Sequence, residues 1–123
     1  MYDVGYIVKK IEDACHPVFD NYGLFSTKKW NKYDIIGEYY GEICQYKNGN
    51  YLVGINLEGY RGYCIDGEKT ECNMKYINHY KNIGKPNCKY VSTIIDGKPK
   101  VFIVVIKEIK KNEEILANYN FNV

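Results

Sequence analysis

Short apolar runs, separated by glycine, asparagine and charged residues, make up the hydrophobic pattern of this chain. Residues 6–11 have the β-branched and aromatic content of a first strand. Residues 62–67 predict a second short strand that ends in a turn. No segment of about twelve residues keeps a 3.6-residue period, so at most short helices are expected.

The clearest predicted hairpin lies in the last third of the chain. Asp96 and Gly97 separate the runs 90–95 and 98–107, both rich in β-branched residues. Residues of these two types tolerate the positive φ angles that a two-residue hairpin turn requires. Residues 101–106 are all apolar, which predicts a strand covered on both faces.

Two further strand pairs are predicted earlier in the chain. Asn48-Gly49 is a strong two-residue turn signal, and it predicts a hairpin between residues 44–46 and 51–53. Residues 21–26 and 34–42 predict a hairpin-like pair of short strands. The pattern as a whole therefore predicts a mainly β fold built from several short sheets.

Length and composition predict one folded domain covering residues 1–123. The chain is close to the common size of a single core, and its 46% hydrophobic and 26% charged residues argue against disorder. No apolar run approaches the ~18 residues that span a bilayer, and the first residues lack the pattern of a secretory signal. We expect a cytoplasmic or nuclear protein without a membrane partner.

Charge and cysteine content exclude several classes of function. The net charge is only +2, and Arg61 is the single arginine, so sequence-specific nucleic-acid recognition is not expected. The five cysteines contain no Cys-x-x-Cys motif, which predicts reduced, mostly buried thiols and no metal site. His16 precedes a proline and is interpreted as a surface loop residue without a functional role.

Seven short motifs follow one another between about residues 21 and 121. They are Asn-Tyr-Gly-Leu-Phe (21–25), Glu-Tyr-Tyr-Gly-Glu (38–42), Tyr-Cys-Ile-Asp (63–66), Tyr-Ile-Asn-His (76–79), Pro-Asn-Cys (86–88), Glu-Glu-Ile (113–115) and Tyr-Asn-Phe (119–121). In this order they resemble the SET-domain family, whose members transfer a methyl group from S-adenosylmethionine to a protein lysine. The resemblance implies a β-clip-like fold with a knot-like threaded C-terminal segment.

The resemblance also implies roles for individual residues. It places the hydroxyl of Tyr119 at the transferring methyl group and makes Tyr39 a second catalytic residue in the wall of the lysine channel. Ala117 and Phe121 are expected to line the same channel. The residues expected to contact S-adenosylmethionine are Tyr22, Gly23, Asn78 and His79.

The chain departs from the family pattern at several positions. Lys75 replaces the usual arginine, Tyr80 replaces a small serine, and the loop 81–85 is longer than usual. Ala117 stands where related enzymes usually carry Phe or Tyr, at a position that limits how many methyl groups the amine accepts. The smaller residue predicts products beyond monomethyl-lysine.

The resemblance is to a short, stand-alone SET domain without the segments that flank the domain in many relatives. In those relatives the cysteine of the Pro-Asn-Cys motif binds zinc together with a cysteine-rich segment that closes the lysine channel. Cys88 has no such companions in the sequence, so no zinc is predicted. We expect the partners to be a protein lysine substrate, with a histone tail as a candidate, and a second copy of the chain or another protein that completes the channel.

Two other functions are compatible with the sequence. A SET-like binding or scaffold module that has lost turnover is suggested by Tyr80 and by the absence of the closing segment. A small β-barrel that binds single-stranded nucleic acid through exposed tyrosines and lysines is the other alternative. Methyl transfer from S-adenosylmethionine separates the enzyme from both.

Overall fold

Ten short strands and one turn of 3₁₀ helix are present in a computed structural model that describes the backbone of residues 3–122 and the side chains of residues 3–119. Within this part of the chain, no helix has the length and apolar character needed to cross a membrane. The 3₁₀ helix covers Asn73–Tyr76. The strands are β1 Tyr6–Lys10, β2 Tyr22–Ser26, β3 Ile35–Tyr39, β4 Glu42–Gln45, β5 Leu52–Gly54, β6 Tyr63–Asp66, β7 Asn78–His79, β8 Cys88–Ile95, β9 Lys98–Val105 and β10 Leu116–Asn122.

The strands form three small sheets. β1 pairs with β2 in a two-stranded antiparallel sheet, and β4, β6 and β5 form a three-stranded sheet in that order. The remaining five strands form one sheet with the order β3-β9-β8-β10-β7. The predicted fold class, mainly β with several short sheets, is confirmed.

The hairpin of β8 and β9 forms as the sequence predicts. Asp96 has a φ of 52° and Gly97 a φ of 76°, so both turn residues are left-handed as this turn type requires. The side chains of Val101, Ile103 and Val105 are completely buried, and those between them are half-buried. One face of β9 therefore lies in the core, and its other face is only partly covered, which differs from the predicted burial on both faces.

Both of the other predicted strand pairings are wrong. β4 and β5 each pair with β6 and lie on opposite sides of it, and neither Asn48 nor Gly49 adopts a positive φ. Likewise, β2 pairs with β1 and β3 pairs with β9. Local sequence predicts where strands occur, but contacts with distant segments decide which strands become neighbours.

Strand β10 lies between β7 and β8, although β7 and β8 follow each other along the chain. It runs parallel to both: Ala117 pairs with His79 of β7 on one side and with Cys88 of β8 on the other. The loop that joins β7 to β8 therefore passes around a strand that comes much later in the sequence. This arrangement confirms the predicted knot-like threading of the C-terminal segment.

The apolar core joins the threaded strand to the other sheets. Its completely buried aliphatic side chains come from β2, from β9 and from the segment that leads into β10, and they include Leu24, Val101, Ile103, Val105, Ile109 and Ile115. Burying one such side chain contributes about 1.5–3 kcal/mol. The position of β10 is therefore stabilised by apolar packing as well as by strand pairing.

Gly41 provides a test of the close approach between the end of β3 and the end of β6. A Cβ atom added at Gly41 would lie 2.0 Å from the main-chain carbonyl oxygen of Asp66. We expect Gly41→Ala to lower the free energy of unfolding by about 1–3 kcal/mol, measured by urea denaturation, because the backbone must shift to relieve the overlap.

Gly84→Ala is the matched control for this substitution. Its added methyl group meets only the Cδ1 atom of Leu116, at 3.5 Å, which is an ordinary contact. The control should change the free energy of unfolding by less than about 0.5 kcal/mol. Equal stabilities for the two variants would mean that β3 and β6 do not approach as closely as described.

Candidate active site

Tyr119 is held in place by the threaded strand that carries it. Its backbone N–H donates a hydrogen bond to Nδ1 of His79 at 3.1 Å, and its hydroxyl donates to the carbonyl oxygen of Ile77. The rings of Tyr119 and His79 lie 5.1 Å apart. Two motifs about forty residues apart in the sequence, Tyr119 and the Asn78-His79 pair, are thus brought into direct contact.

The ring of Tyr119 forms one wall of a narrow aromatic cavity of about 100 Å³. Tyr39 and Tyr90 contribute two further rings, with centroids 6.4 Å apart and nearly perpendicular to each other. Tyr90 in turn lies 6.4 Å from Tyr119. The cavity is also lined by Asn50, Tyr51, Leu52, Val53, Gly54, Lys75 and Ile77. Such a cavity suits the apolar stem of a long side chain with a polar end.

Burial makes the phenol groups around this cavity harder to ionise than that of a free tyrosine. Tyr119 is half exposed as a residue, but the partial burial of its phenol raises its pKa to about 12, and the nearby Cys88 thiol contributes a smaller effect in the same direction. Burial also raises the pKa values of Tyr39 and Tyr90 well above the usual range. The three phenols are therefore neutral groups that can both donate and accept hydrogen bonds.

Lys75, which replaces the family's usual arginine, is also part of the cavity wall. Its ammonium group donates to the carbonyl oxygen of Thr70 at 2.8 Å and to those of Gly67 and Glu68 at 3.4 Å. It also lies 5.2 Å from the centre of the Tyr51 ring. The lysine therefore fastens the turn after β6 to the aromatic wall, using all three of its donors.

The Pro-Asn-Cys motif fixes the point where β10 enters the sheet. The side-chain oxygen of Asn87 accepts from the backbone N–H of Leu116, and the backbone N–H of Asn87 donates to the carbonyl oxygen of Leu116, both at 2.9 Å. The Asn87 amide nitrogen also donates to the carbonyl oxygen of Glu114 at 3.0 Å, and the Cys88 thiol donates to that of Leu116 at 3.3 Å. Both residues are buried, so these contacts satisfy polar groups that water cannot reach.

Three of the four predicted cofactor residues, Tyr22, Gly23 and Asn78, lie close together around the side-chain amide of Asn78. The side-chain amide nitrogen of Asn78 donates to the carbonyl oxygen of Tyr22 at 3.2 Å and to a carboxylate oxygen of Glu114 at 2.9 Å. A Cβ atom on Gly23 would lie 2.9 Å from the same carboxylate oxygen. A side chain at this position would therefore displace the Glu114 carboxylate. The ring of Tyr22 is half exposed beside this junction.

The interpretation of His16 as a surface residue is wrong, whereas the prediction that it has no functional role is not decided by its position. Only 8% of its side chain is exposed, and its Nε2 atom lies 2.7 Å from Oε1 of Glu114. Its Nδ1 atom accepts a hydrogen bond from the backbone N–H of Val18 at 3.1 Å. Proximity to a proline suggested a loop, and the loop is real, but it folds back over the entry of β10.

Three further positions that the sequence analysis singled out are Ala117, Tyr80 and Phe121. Ala117 is completely buried between β7 and β8, and it is not part of the cavity wall formed by the described residues. The ring of Tyr80 packs edge-on against His79 at 4.8 Å. The side chain of Phe121 lies outside the described residues. The channel roles of Ala117 and Phe121 stay predictions.

Sequence reasoning missed several residues of the site. Tyr90 could have been found, because it lies two positions after Cys88 in a strand and so shares its inward face. Glu114 belongs to the Glu-Glu-Ile motif, but the motif gives no indication of its contacts with Asn78 and His16. No local pattern indicates that Tyr51 belongs to the site. It follows the turn at residues 48–49, and the strand pairing predicted for that turn does not form.

No cluster of three or more His, Cys, Asp or Glu side chains suited to a metal ion occurs among the described residues. Cys64, Cys72 and Cys88 are buried, Cys44 is half-buried and Cys15 is exposed, all as free thiols. The predicted burial of most cysteines is therefore confirmed. The absence of zinc stays a prediction.

Comparisons with known proteins agree with this geometry. A family model described as "SET domain" matches residues 21–120. The N-lysine methyltransferase KMT5A-A of Danio rerio is 26% identical over 111 residues, which cover 79% of this chain and 31% of the relative. The H3 lysine-4 specific histone-lysine N-methyltransferase of Neurospora crassa is 29% identical over 124 residues, which cover 93% of this chain and 9% of the relative. The chain thus spans less than a third of the length of these curated relatives.

Solved structures share the same fold. The structure of CpSET8 from Cryptosporidium has a TM-score of 0.74 at 24% identity, with 96% of this chain and 58% of that chain covered. The structure described as "ctPRC2 in an autoinhibited conformation bound to S-adenosylmethionine" has a TM-score of 0.72 at 23% identity, with 94% and 15% covered. At these identities the likeness is one of fold.

The family match covers most of the chain and includes every element that builds the site. It extends from the start of β2, through the Asn78-His79 pair and Asn87-Cys88, to the strand that carries Tyr119. The threaded β10 and the contact between Tyr119 and His79 are also present in the structure. This chain therefore belongs to the SET-domain family.

Proposed function

We propose that this protein transfers a methyl group from S-adenosylmethionine to the ε-amine of a protein lysine. Membership of the SET-domain family supports the reaction class. The observation that carries the proposal is the position of Tyr119, whose hydroxyl is fixed at the wall of an aromatic cavity and directly beside the Asn78-His79 pair. The assignment of residues 1–123 to a single SET domain is part of the same proposal.

The residues around Asn78 fit a cofactor with an amino-acid end. Both hydrogens of the Asn78 amide are used by Tyr22 and Glu114, which leaves its oxygen as an acceptor suited to an ammonium group. The half-exposed ring of Tyr22 offers an apolar surface next to it. Tyr22, Gly23, Asn78 and His79 would hold the cofactor. When bound, it supplies a methyl group on a positively charged sulfur, which the lysine nitrogen receives as the carbon–sulfur bond breaks.

The aromatic cavity would favour the neutral form of the lysine amine. Near pH 7 a free lysine must lose a proton at a cost of about 4–5 kcal/mol, given its usual pKa of ~10.4. Transfer into a poorly hydrated cavity disfavours the charged form and reduces that cost. Lys75 also lines this cavity, and its Nζ atom lies 5.2 Å from the centre of the Tyr51 ring, so its positive charge acts in the same direction.

The hydroxyl of Tyr119 would act as an oxygen acceptor at the reacting centre. Its hydrogen is directed at the carbonyl oxygen of Ile77, so the oxygen lone pairs are free to face a polarised methyl group. Weak C–H hydrogen bonds of this kind stabilise positive charge that moves during the transfer. Because the Tyr119 ring is also a cavity wall, the same residue aligns the amine.

The proposed substrate is a lysine side chain of a protein, and a histone tail is the candidate for the segment that carries this lysine. The relatives described above carry the names N-lysine methyltransferase and histone-lysine N-methyltransferase. Tyr119 is 53% exposed, which supports a channel completed by a second copy of the chain or by another protein. The proposed location is the cytoplasm or the nucleus.

A SET-like binding module without turnover is the second candidate. It is favoured by Tyr80, whose ring packs against His79 at 4.8 Å where relatives carry a small serine. In that case the protein would bind S-adenosylmethionine or a lysine peptide without producing methyl-lysine. Calorimetry with the cofactor, followed by a tritiated methyl-transfer assay on histones and lysate, separates the two candidates.

Tyr119→Phe is the most direct test of the proposed mechanism. We expect methyl transfer to fall by at least about a hundredfold, because the oxygen next to the reacting centre is lost. The affinity for S-adenosylhomocysteine, measured by calorimetry, should stay within about threefold, since the ring and the backbone contact with His79 remain. Tyr33→Phe, on a ring that is 76% exposed, is the control and should keep full activity. Unchanged transfer in Tyr119→Phe would exclude the proposed role.

The pH dependence of the reaction provides a second test. Below its pKa of ~10.4, the neutral fraction of a free lysine rises about tenfold per pH unit, so kcat/KM should rise with that slope from pH 7 to pH 9. Tyr119 has a raised pKa of about 12, so its hydroxyl keeps its proton throughout this range. Circular dichroism at each pH provides the folding control. A decrease in kcat/KM below pH 10 in folded protein would contradict this assignment.

The degree of methylation tests the role assigned to Ala117. A small side chain two residues before Tyr119 leaves room for an amine that already carries methyl groups. We therefore expect a monomethylated peptide to be accepted and products beyond monomethyl-lysine to accumulate in mass spectra. The unmethylated peptide is the matched control. Monomethyl-lysine as the final product of an exhaustive reaction would show that another group fills this space.

A further inference from the structure

The orientation of the Asn78 side-chain amide is determined by its two neighbours. Its nitrogen donates to the carbonyl oxygen of Tyr22 and to a carboxylate oxygen of Glu114. A rotation of the amide by 180° would place its oxygen against both of these acceptors and lose both hydrogen bonds. Glu114 therefore helps to decide which atom of Asn78 is presented to the proposed cofactor site.

The carboxylate of Glu114 depends on His16 for its position. Only 9% of the Glu114 side chain is exposed, so its charge requires hydrogen-bond donors within the protein. Asn78 donates to one of its oxygens, and Nε2 of His16 lies 2.7 Å from the other. These two donors come from opposite sides of the carboxylate and hold it between β7 and the loop that precedes β2.

His16 is itself fixed by its own loop. Its Nδ1 atom accepts from the backbone N–H of Val18, so the hydrogen of the ring is on Nε2 and is directed at Glu114. The carbonyl oxygen of His16 accepts from the N–H of Phe19 at 3.0 Å. The ring therefore delivers one donor to Glu114 in a defined direction, across 98 residues of sequence.

We propose that His16 and Glu114 are positioning residues that orient the Asn78 amide for the cofactor. The chain His16–Glu114–Asn78 presents the Asn78 oxygen as an acceptor for an ammonium group. This inference rests on the proposed function, because it assigns a task to residues around the proposed cofactor site. It adds a histidine that lies outside the family match at residues 21–120.

The alternative is that the pair of His16 and Glu114 only fastens the loop to the threaded strand. A fastening role predicts loss of stability in any variant that breaks the pair, without a selective effect on the cofactor. A positioning role predicts a change in hydrogen exchange of the Asn78 side-chain amide and in cofactor affinity, both recovered when a donor is restored at position 16. The two roles therefore differ in measurable quantities besides stability.

The test uses three variants and one control in the full chain. His16→Ala removes the donor, His16→Gln restores an N–H donor on a side chain of similar reach, and Glu114→Gln keeps the shape but replaces one acceptor oxygen by a donor. Lys10→Met is the control, because it breaks the exposed ion pair of Lys10 with Asp20, on the same loop as His16, without touching Glu114.

Two measurements are made on each protein. Nuclear magnetic resonance records hydrogen exchange of the Asn78 side-chain amide without ligand, and calorimetry records the dissociation constant of S-adenosylhomocysteine. We expect faster amide exchange and about tenfold weaker binding in His16→Ala and Glu114→Gln, the effect of losing one hydrogen bond to a buried charged group. His16→Gln should recover most of the affinity, and Lys10→Met should match the unmodified protein.

The outcomes separate this inference from the proposed function. If the unmodified protein binds S-adenosylhomocysteine and both His16→Ala and Glu114→Gln bind it equally well, the positioning role is overturned while the proposed function stands. Unchanged exchange of the Asn78 amide in both variants would overturn it as well. If the unmodified protein neither binds the cofactor product nor transfers a methyl group, the proposed function itself fails.

Discussion

The insertion of β10 between β7 and β8 decides which distant segments of the chain meet at the candidate active site. Both flanking strands belong to the segment 78–95, and each pairs with β10 in parallel. The hydrogen bonds of the inserted strand are completed by polar groups outside the regular ladder, above all by the side chain of Asn87. Since Tyr119 is part of this strand, the insertion brings its backbone N–H to His79 and its hydroxyl to the carbonyl oxygen of Ile77.

The two sides of the site are joined through the short strand β7. The carbonyl oxygen of Ile77, the residue immediately before β7, accepts a hydrogen bond from the hydroxyl of Tyr119. Asn78 donates hydrogen bonds to Tyr22 and Glu114. Nδ1 of His79 accepts a hydrogen bond from the backbone N–H of Tyr119. Three consecutive residues therefore connect the aromatic cavity with the polar junction. The hydrogen bonds of these three residues limit the ways in which the site can rearrange.

The sequence was sufficient for features that depend on neighbouring residues. The β8–β9 hairpin was predictable because the turn at Asp96-Gly97 and the strands beside it lie within one segment. The Asn48-Gly49 signal failed because β6, a later strand, occupies the place between β4 and β5. The contact of Tyr119 with His79 could be anticipated only from the order of family motifs. The burial of His16 against Glu114 had no signal, since 98 residues separate the two and neither pattern nor spacing relates them.

The threaded strand also affects how the chain can fold while the ribosome is still making it. A nascent chain that has emerged only as far as β9 contains β7 and β8 but lacks the strand that belongs between them. It also lacks Ile115, Leu116 and Ala117, which are almost entirely buried in the finished protein. Contacts between such distant segments form slowly, because a large loop must close before any of them contributes stability. Strands β7, β8 and β9 are therefore made before the segment that completes both their sheet and the candidate active site.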